Sequence, residues 1–152
     1  MYKRQVNTNE VATGVPLAVP ATFAVPVLAD TNLTPLYPYS NTVFPLGLAA
    51  PTVQWDNKNT PATYVKISLR YPRAPAAQLF NWSIVLNGEP DGAVITGPYA
   101  HAPAYTIPQY AWSGFGSSAA GLVGQSEIAI QRIVGGVVRT EQTIPLLSLI
   151  HI

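Results

Sequence analysis

The sequence contains no cysteine and few charged residues, and both absences limit what the chain can be. Without cysteine it cannot form disulfides, hold zinc through thiolates or use a thiol nucleophile. Charged residues make up 10% of the 152 residues, against roughly 25% in an average soluble protein. The formal net charge of +1 argues against an electrostatic nucleic-acid binder. No apolar run reaches the roughly 18 residues of a membrane span.

Proline and hydrophobic residues are abundant instead. Fifteen prolines are spread along the sequence, and because a proline inside a helix costs about 3 kcal/mol, a helical bundle is excluded. Hydrophobic residues make up 48% of the chain, which is enough for a core. Ordinary disorder requires low hydrophobicity with high net charge, so it is excluded as well. The length fits one domain, or one domain with a tail.

The two ends of the chain resemble a translated sequencing adapter. The codons CTG TCT CTT ATA CAC ATC encode residues 147–152, and their reverse complement, with GTG read as a start codon, encodes residues 1–5. This DNA word is similar to the transposase mosaic-end adapter of sequencing libraries. We therefore expect residues 6–146 to be an internal fragment of a longer protein. Without Lys3 and Arg4, six basic residues stand against seven acidic ones, a net charge of −1.

Residues 6–35 are rich in proline and almost free of charge. Prolines recur here at positions 16, 20, 26 and 35, which argues against a helix and favours extended backbone. This composition predicts an extended interdomain linker. Phe23 and several valines and leucines are too apolar for a free linker, so an edge strand, where proline is tolerated, is the alternative.

From residue 36 onward the pattern predicts short strands. Polar and apolar residues alternate over residues 52–55, 64–71 and 80–86, as in half-buried strands, with turn residues between them. Residues 93–95 and 105–107 are shorter extended pieces. Six or seven strands at roughly 10-residue spacing are typical of an all-β sandwich. The predicted core consists of Val53, Trp55, Val65, Ile67, Leu69, Trp82, Ile84, Trp112, Ile128 and Ile130.

One helical turn and one hairpin complete the prediction. Pro108 can start a helix over residues 109–115, which Gly114 and Gly116 would end. Residues 127–144 predict a hairpin around two glycines. A two-residue Gly-Gly loop would set Arg132 opposite Arg139, which is unfavourable. We therefore expect a three-residue loop that pairs Val134 with Val138.

Residues 36–48 read LYPYSNTVFPLGL and lead to Val53-Gln54-Trp55. This segment resembles the start of immunoglobulin-like or fibronectin type III-like domains in exported multidomain proteins of myxobacteria and related bacteria. Ile107-Pro108 and Trp112 resemble a later turn of the same domains. Ser40-Asn41 stands where those domains have Asp-Gly. The resemblance covers residues 36–146 and implies an immunoglobulin-like or fibronectin type III-like sandwich over that range. It also implies an extracellular, cell-surface or periplasmic location and no transferable catalytic residues.

Candidate chemical sites are sparse. Exposed aromatic rings can bind ligands, and the candidate ligand-contact residues are Tyr37, Tyr39, Tyr99, Tyr105 and Tyr110. His101, in a proline-bounded loop, has no predicted partner for catalysis. Glu89 and Asp91 flank Pro90 and are expected to be solvated turn charges. Asp56, Asn57 and Asn59 carry the oxygens that calcium requires, but they lack an EF-hand pattern and favour an Asx turn.

These features predict a non-catalytic structural or interaction module. No catalytic, cofactor-binding or metal-binding residue is assigned, and no cofactor is expected. The expected partners are neighbouring domains of the same polypeptide, or a cell-surface protein or polysaccharide, and not nucleic acid. No transmembrane segment is expected in this fragment. The alternatives are a carbohydrate- or ligand-binding module that uses exposed tyrosines, and a piece of an enzyme. A planar row of exposed aromatic rings would favour the first alternative, and a cleft with paired carboxyls the second.

Overall fold

The structure, a computed structural model, describes residues 5–73, 78–92, 102–119 and 123–150, with only the backbone at residues 148–150. Of the described residues, 45% lie in strands and 12% in helices. The predicted all-β class is therefore confirmed. The expected strand over residues 93–95 lies outside the described residues.

Twelve elements make up the described chain. In chain order they are β1 (Val6–Val11), α1 (Val19–Thr22), β2 (Thr34–Tyr37), β3 (Thr42–Pro45), β4 (Thr52–Asp56), β5 (Tyr64–Tyr71), β6 (Phe80–Asn87), β7 (Ala104–Thr106), α2 (Gln109–Ala119), β8 (Ser126–Val134), β9 (Val137–Val138) and β10 (Gln142–Ile150). The strands predicted over residues 52–55, 64–71, 80–86 and 105–107 appear as β4 to β7.

The strands form two sheets around one core. The larger sheet has the order β1-β6-β5-β8-β10-β3, with β9 beside β8, and the smaller has the order β2-β4-β7. Most pairs are antiparallel, but β1 pairs parallel with β6, and β10 pairs parallel with β3. Side chains of β4 from the small sheet join those of β5, β6, β8 and α2 in one hydrophobic cluster. This arrangement fits a β-sandwich.

The predicted core is confirmed at nine of its ten positions. Fully or almost fully buried are Val53, Trp55, Val65, Ile67, Leu69, Trp82, Trp112, Ile128 and Ile130. The exception is Ile84, which packs against the same core but is only half-buried. Its neighbour across the sheet edge is Glu10 of β1.

Residues 6–33 lie along the large sheet, and residues 34 and 35 begin strand β2 of the small sheet. Val6–Val11 forms an edge strand, which is the second of the two alternatives for this segment. Residues 12–33, which we name the strap, follow β1 and lie partly on the outer face of the large sheet, while Leu33 near its end joins the main core cluster. Phe23 of the strap is buried on that outer face with Val85 and Ile133. The expectation of no helix here is wrong for one turn, α1, which tolerates Pro20 because the proline lies in its first turn.

Helix α2 is longer than the sequence predicts, because its glycines do not end it. A Cβ atom on Gly114 would lie 3.2 Å from the Phe80 ring, and one on Gly116 would lie 2.7 Å from Leu46. These glycines therefore let the helix approach the core closely. The helix continues to Ala119, and its Trp112 and Phe115 are buried.

The expected hairpin register is wrong. Val134 pairs with Val137 and Ile133 with Val138, so the loop is the two-residue turn Gly135-Gly136. Both glycines have positive φ, 58° and 76°, as a type I′ turn requires. Arg132 does stand opposite Arg139, since the Arg139 N–H donates to the Arg132 carbonyl. The like charges are tolerated because two buried carboxylates neutralise Arg132.

Strand β10 does not stop at Leu146. Its backbone continues to Ile150 and pairs with β3 over Val43, Phe44 and Pro45. The backbone of residues 148–150 therefore attaches β3 to the edge of the large sheet, although the codons of these residues resemble an adapter.

Candidate functional site

An open cleft lies against the outer face of the small sheet. Its volume is about 1040 Å³. We name it the tyrosine groove, and its lining is Leu36, Tyr37, Tyr39, Thr42, Val43, Phe44, Pro45, Leu48, Ala49, Ala50, Pro51, Thr52, Gln54 and Ala104. None of these residues carries a formal charge. Most of the lining comes from the segment whose sequence resembles the start of the exported domains.

The floor of the tyrosine groove follows from the alternation of strand β4. Val53 and Trp55 point into the core, so Thr52 and Gln54 point outward. Thr52 lies opposite Thr106, and their hydroxyl oxygens are 2.8 Å apart. The Gln54 side-chain amide has no hydrogen-bond partner among the described residues. The floor therefore offers an unpaired donor and acceptor between otherwise apolar walls.

Two of the five candidate tyrosines meet at the tyrosine groove. The rings of Tyr37 and Tyr39 are 6.0 Å apart between centroids and stand at 81° to each other. The exposed fractions of their side chains are 38% and 73%. Because the rings are nearly perpendicular, they form a corner and not one flat platform.

Hydrogen bonds fix the turn that carries Tyr39. The Thr42 hydroxyl donates to the Tyr39 carbonyl at 2.6 Å, and the Asn41 N–H donates to the Pro145 carbonyl at 2.7 Å. Asn41 has a φ of 64°, a conformation that asparagine adopts more readily than most residues. The turn is therefore anchored both to itself and to strand β10.

The other candidate tyrosines lie elsewhere. Tyr105 is half-buried and packs against the core, and this burial, with a smaller contribution from Glu10, raises the pKa of its phenol. Tyr110 is 61% exposed and donates a hydrogen bond to Glu10, which raises the pKa of the Tyr110 phenol. Glu10 also accepts a bond from Trp82 Nε1 at 2.8 Å. Tyr99 and His101 lie outside the described residues.

Glu89 is not a solvated turn charge, and that prediction is wrong. Its side chain is buried and accepts hydrogen bonds from Arg132 Nη1 at 2.8 Å, Asn57 Nδ2 at 2.5 Å and Trp55 Nε1 at 3.4 Å. No local pattern indicates this burial, because the partners of Glu89 lie 32 to 43 residues away. Asp91, two residues on, is exposed.

Glu89 belongs to a buried ion cluster with Arg132 and Asp30. Arg132 is completely buried and holds Asp30 through two bonds, Nε to Oδ2 at 2.7 Å and Nη2 to Oδ1 at 2.8 Å. Burial alone lowers the pKa of Arg132, but its bonds to Asp30 and Glu89 outweigh that effect and raise it. All three groups are therefore paired with one another inside the fold.

Residues 56–59 form the Asx-type turn that the sequence favours. The Lys58 N–H donates to Asp56 Oδ1 at 2.9 Å, and the Asn59 N–H donates to Asn57 Oδ1 at 3.0 Å. The side-chain oxygens thus close the turn themselves. Within the described ranges, no three histidine, aspartate or glutamate side chains are grouped to hold a metal ion.

A second charge cluster lies on the outer face of the large sheet. Arg70 donates to both oxygens of Glu141 at 2.7 Å and to Glu127 at 3.4 Å. Burial lowers the pKa of the neighbouring Lys66, Arg70 lowers it further, and Glu141 opposes both effects.

Comparisons with protein-family models, curated proteins and solved structures give no match for this chain. In the part of the chain that the structure describes, no helix is long and apolar enough to cross a membrane.

Proposed function

We propose that this chain is a non-catalytic structural and interaction module that binds its partner through the tyrosine groove. The observation that carries the proposal is the chemistry of the lining. The tyrosine groove has aromatic and aliphatic walls, a few hydroxyl and amide groups, and no charged side chain. Binding sites are mostly apolar with a few placed polar groups, whereas acid–base catalysis needs a positioned titratable group.

The position of the charged groups supports the same proposal. Arg132, Asp30 and Glu89 are ion-paired with one another in the interior. Arg70 is engaged with Glu141 and Glu127 on a different face. Neither cluster contributes a side chain to the tyrosine groove. The groove is therefore suited to recognition by shape and apolar contact.

We further propose that the two-sheet arrangement is of the immunoglobulin-like or fibronectin type III-like kind. The module would then be one domain of a larger exported bacterial protein at the cell surface or in the periplasm. The support is the motif over residues 36–48. That segment supplies both tyrosines and most of the apolar wall of the groove. In this proposal the partners are neighbouring domains of the same polypeptide or another cell-surface molecule.

Carbohydrate binding is the second candidate, and Tyr37 and Tyr39 favour it because both rings are exposed at one cavity. Sugar rings stack best on exposed aromatic faces that share a plane. Because these two rings stand at 81° to each other, they do not form such a platform. A polysaccharide therefore fits this groove less well than an apolar partner.

A matched pair of leucine variants tests the proposal. Leu48 lines the tyrosine groove and Leu17 does not, while both are exposed, at 57% and 98%. Nile red, an uncharged dye that fluoresces in apolar surroundings, is titrated into wild type, Leu48→Glu and Leu17→Glu. We expect Leu48→Glu to weaken dye binding about tenfold, because a carboxylate in the groove stays hydrated, and Leu17→Glu to leave binding unchanged.

The same preparations are then assayed with ester and glycoside substrates. We expect no turnover above a buffer blank. Equal dye binding by all three proteins would contradict the groove as the binding surface. Turnover that Leu48→Glu removes would contradict the non-catalytic part of the proposal.

A further inference from the structure

We infer that the occupant of the tyrosine groove is an uncharged, proline-rich segment in extended polyproline II conformation, supplied by a neighbouring domain or partner protein. This inference rests on the proposed function and names the class of its partner. It draws on four features of the groove, namely its charge, the angle of its rings, its unpaired amide and its size.

The charge of the lining selects an uncharged occupant. No side chain of the tyrosine groove is ionic, so a charged ligand would lose hydration there without gaining a counter-charge. A proline-rich segment of low charge avoids this penalty. Residues 15–28 of this chain have that chemistry themselves, with Pro16, Pro20 and Pro26 and no charged residue.

The angle between the two tyrosine rings favours a small ring, such as that of proline, as the contacting group of the ligand. Tyr37 and Tyr39 meet edge to face at 81°, so the face of one ring and the edge of the other bound the same corner. A pyrrolidine ring can contact both at once. Proline-rich segments dock in this way into aromatic-lined grooves elsewhere, and they lose little conformational entropy because the polyproline II helix is already formed.

The unpaired amide of Gln54 supplies the polar contact. A polyproline II backbone makes no internal hydrogen bonds, so its carbonyl groups are free acceptors. The Gln54 amide nitrogen is a donor on the groove floor and has no partner elsewhere in the described chain. A prolyl backbone has acceptors and no N–H donors, which matches a donor of this kind.

The size of the groove suits a short segment. Its volume of about 1040 Å³ is at the upper end of ligand cavities, which hold roughly 300–1,000 Å³. Polyproline II rises about 3.1 Å per residue with three residues per turn. A short polyproline II segment therefore fits the groove, with one of its prolines at the tyrosine corner.

The test measures fluorescence anisotropy with fluorescein-labelled decaproline. A labelled (Gly-Ser)5 peptide of equal length controls for the dye and for chain flexibility, and unlabelled cellohexaose serves as a competitor. The proteins are wild type, Tyr39→Ala, Gln54→Leu and Tyr110→Ala. Tyr110 is an exposed tyrosine that does not line the groove, so it is the matched control for Tyr39.

We expect saturable binding of decaproline and none of the Gly-Ser peptide. Tyr39→Ala should weaken binding at least tenfold, because exposed aromatic anchors dominate such interfaces. Gln54→Leu should weaken it severalfold, and Tyr110→Ala should leave it unchanged. Since Tyr39 is 73% exposed, its variant should remain folded, which a thermal melt verifies.

Three results would overturn the inference. The first is no saturable binding of labelled decaproline to wild type, and the second is equal binding by Tyr39→Ala. The third is displacement of labelled decaproline by cellohexaose at a lower concentration than by unlabelled decaproline. If one of these results is found while Leu48→Glu still weakens Nile red binding, the proposed function stands and only the partner class is wrong. If Nile red binding is also insensitive, both proposals fail.

Discussion

Arg132 and Asp30 form a doubly hydrogen-bonded ion pair that joins residues 102 positions apart, with bonds of 2.7 and 2.8 Å and both side chains buried. Asp30 belongs to the strap and Arg132 to strand β8. The pair therefore fastens the proline-rich N-terminal segment to the middle of the large sheet. Gln131 adds a second fastening, since its amide donates to the Phe23 carbonyl at 3.0 Å.

We predict that Asp30→Ala lowers the free energy of unfolding by at least about 2 kcal/mol, because two donors of the buried Arg132 lose their acceptor while Glu89 still compensates the charge. Glu141→Ala is the matched control, since Glu141 also binds an arginine through two bonds of 2.7 Å but is 31% exposed. Its loss should cost about 1 kcal/mol or less. Urea denaturation measures both, and equal losses would contradict the role of burial.

Trp55→Ala should lower the free energy of unfolding by about 3–5 kcal/mol, as for other large aromatic deletions in cores. Trp55 is fully buried and its indole N–H faces Glu89 at 3.4 Å. Trp55→Phe keeps most of the volume and should cost less. A loss below about 1 kcal/mol for the alanine variant, measured in denaturant, would be typical of a surface residue instead.

Deletion of residues 147–152 should lower stability by at least about 1 kcal/mol. The deletion removes the backbone pairing of residues 148–150 with strand β3, and each hydrogen bond contributes roughly 0.5–1.5 kcal/mol. Deletion of residues 1–5, where the one described residue is exposed, should change it by less than about 0.5 kcal/mol. Identical melting temperatures for the two truncated proteins would contradict this difference.

Lys66 should make stability rise with pH in alkaline solution. Burial and Arg70 lower the pKa of Lys66 in the folded chain below its ordinary value of 10.5. Between the lowered pKa and 10.5 the unfolded chain holds more protons, so the free energy of unfolding increases with pH there. Lys66→Gln and Lys66→Arg do not titrate in this range and should lose that increase. Urea denaturation from neutral pH to 10.5 measures it, and parallel profiles would contradict the prediction.

The sequence predicts best those strands whose burial pattern follows from residues of the same strand. β5 and β6 have clear period-two alternation because one face of each meets the core. Trp55, Ile67 and Ile128 could be assigned to the core for the same reason. Such patterns depend only on neighbours along the strand.

The features that could not be predicted depend on distant partners. The hairpin register is not predictable from local residues, because Asp30 and Glu89 pair with Arg132 from 102 and 43 residues away. The parallel pairing of β10 with β3 has no local signal. Five tyrosines were equal candidates in the sequence, and only the fold brings Tyr37 and Tyr39 to one groove.

The central claim is that recognition takes place in the tyrosine groove, and amide chemical-shift mapping tests it most directly. Benzyl alcohol, a small uncharged aromatic probe, is titrated into ¹⁵N-labelled protein, and shifts are followed in two-dimensional ¹H–¹⁵N spectra. We predict that the largest shifts cluster at Tyr37, Tyr39, Val43, Leu48 and Gln54, which line the groove, and saturate together. Shifts concentrated instead on the strap or on the outer face of the large sheet would contradict the account.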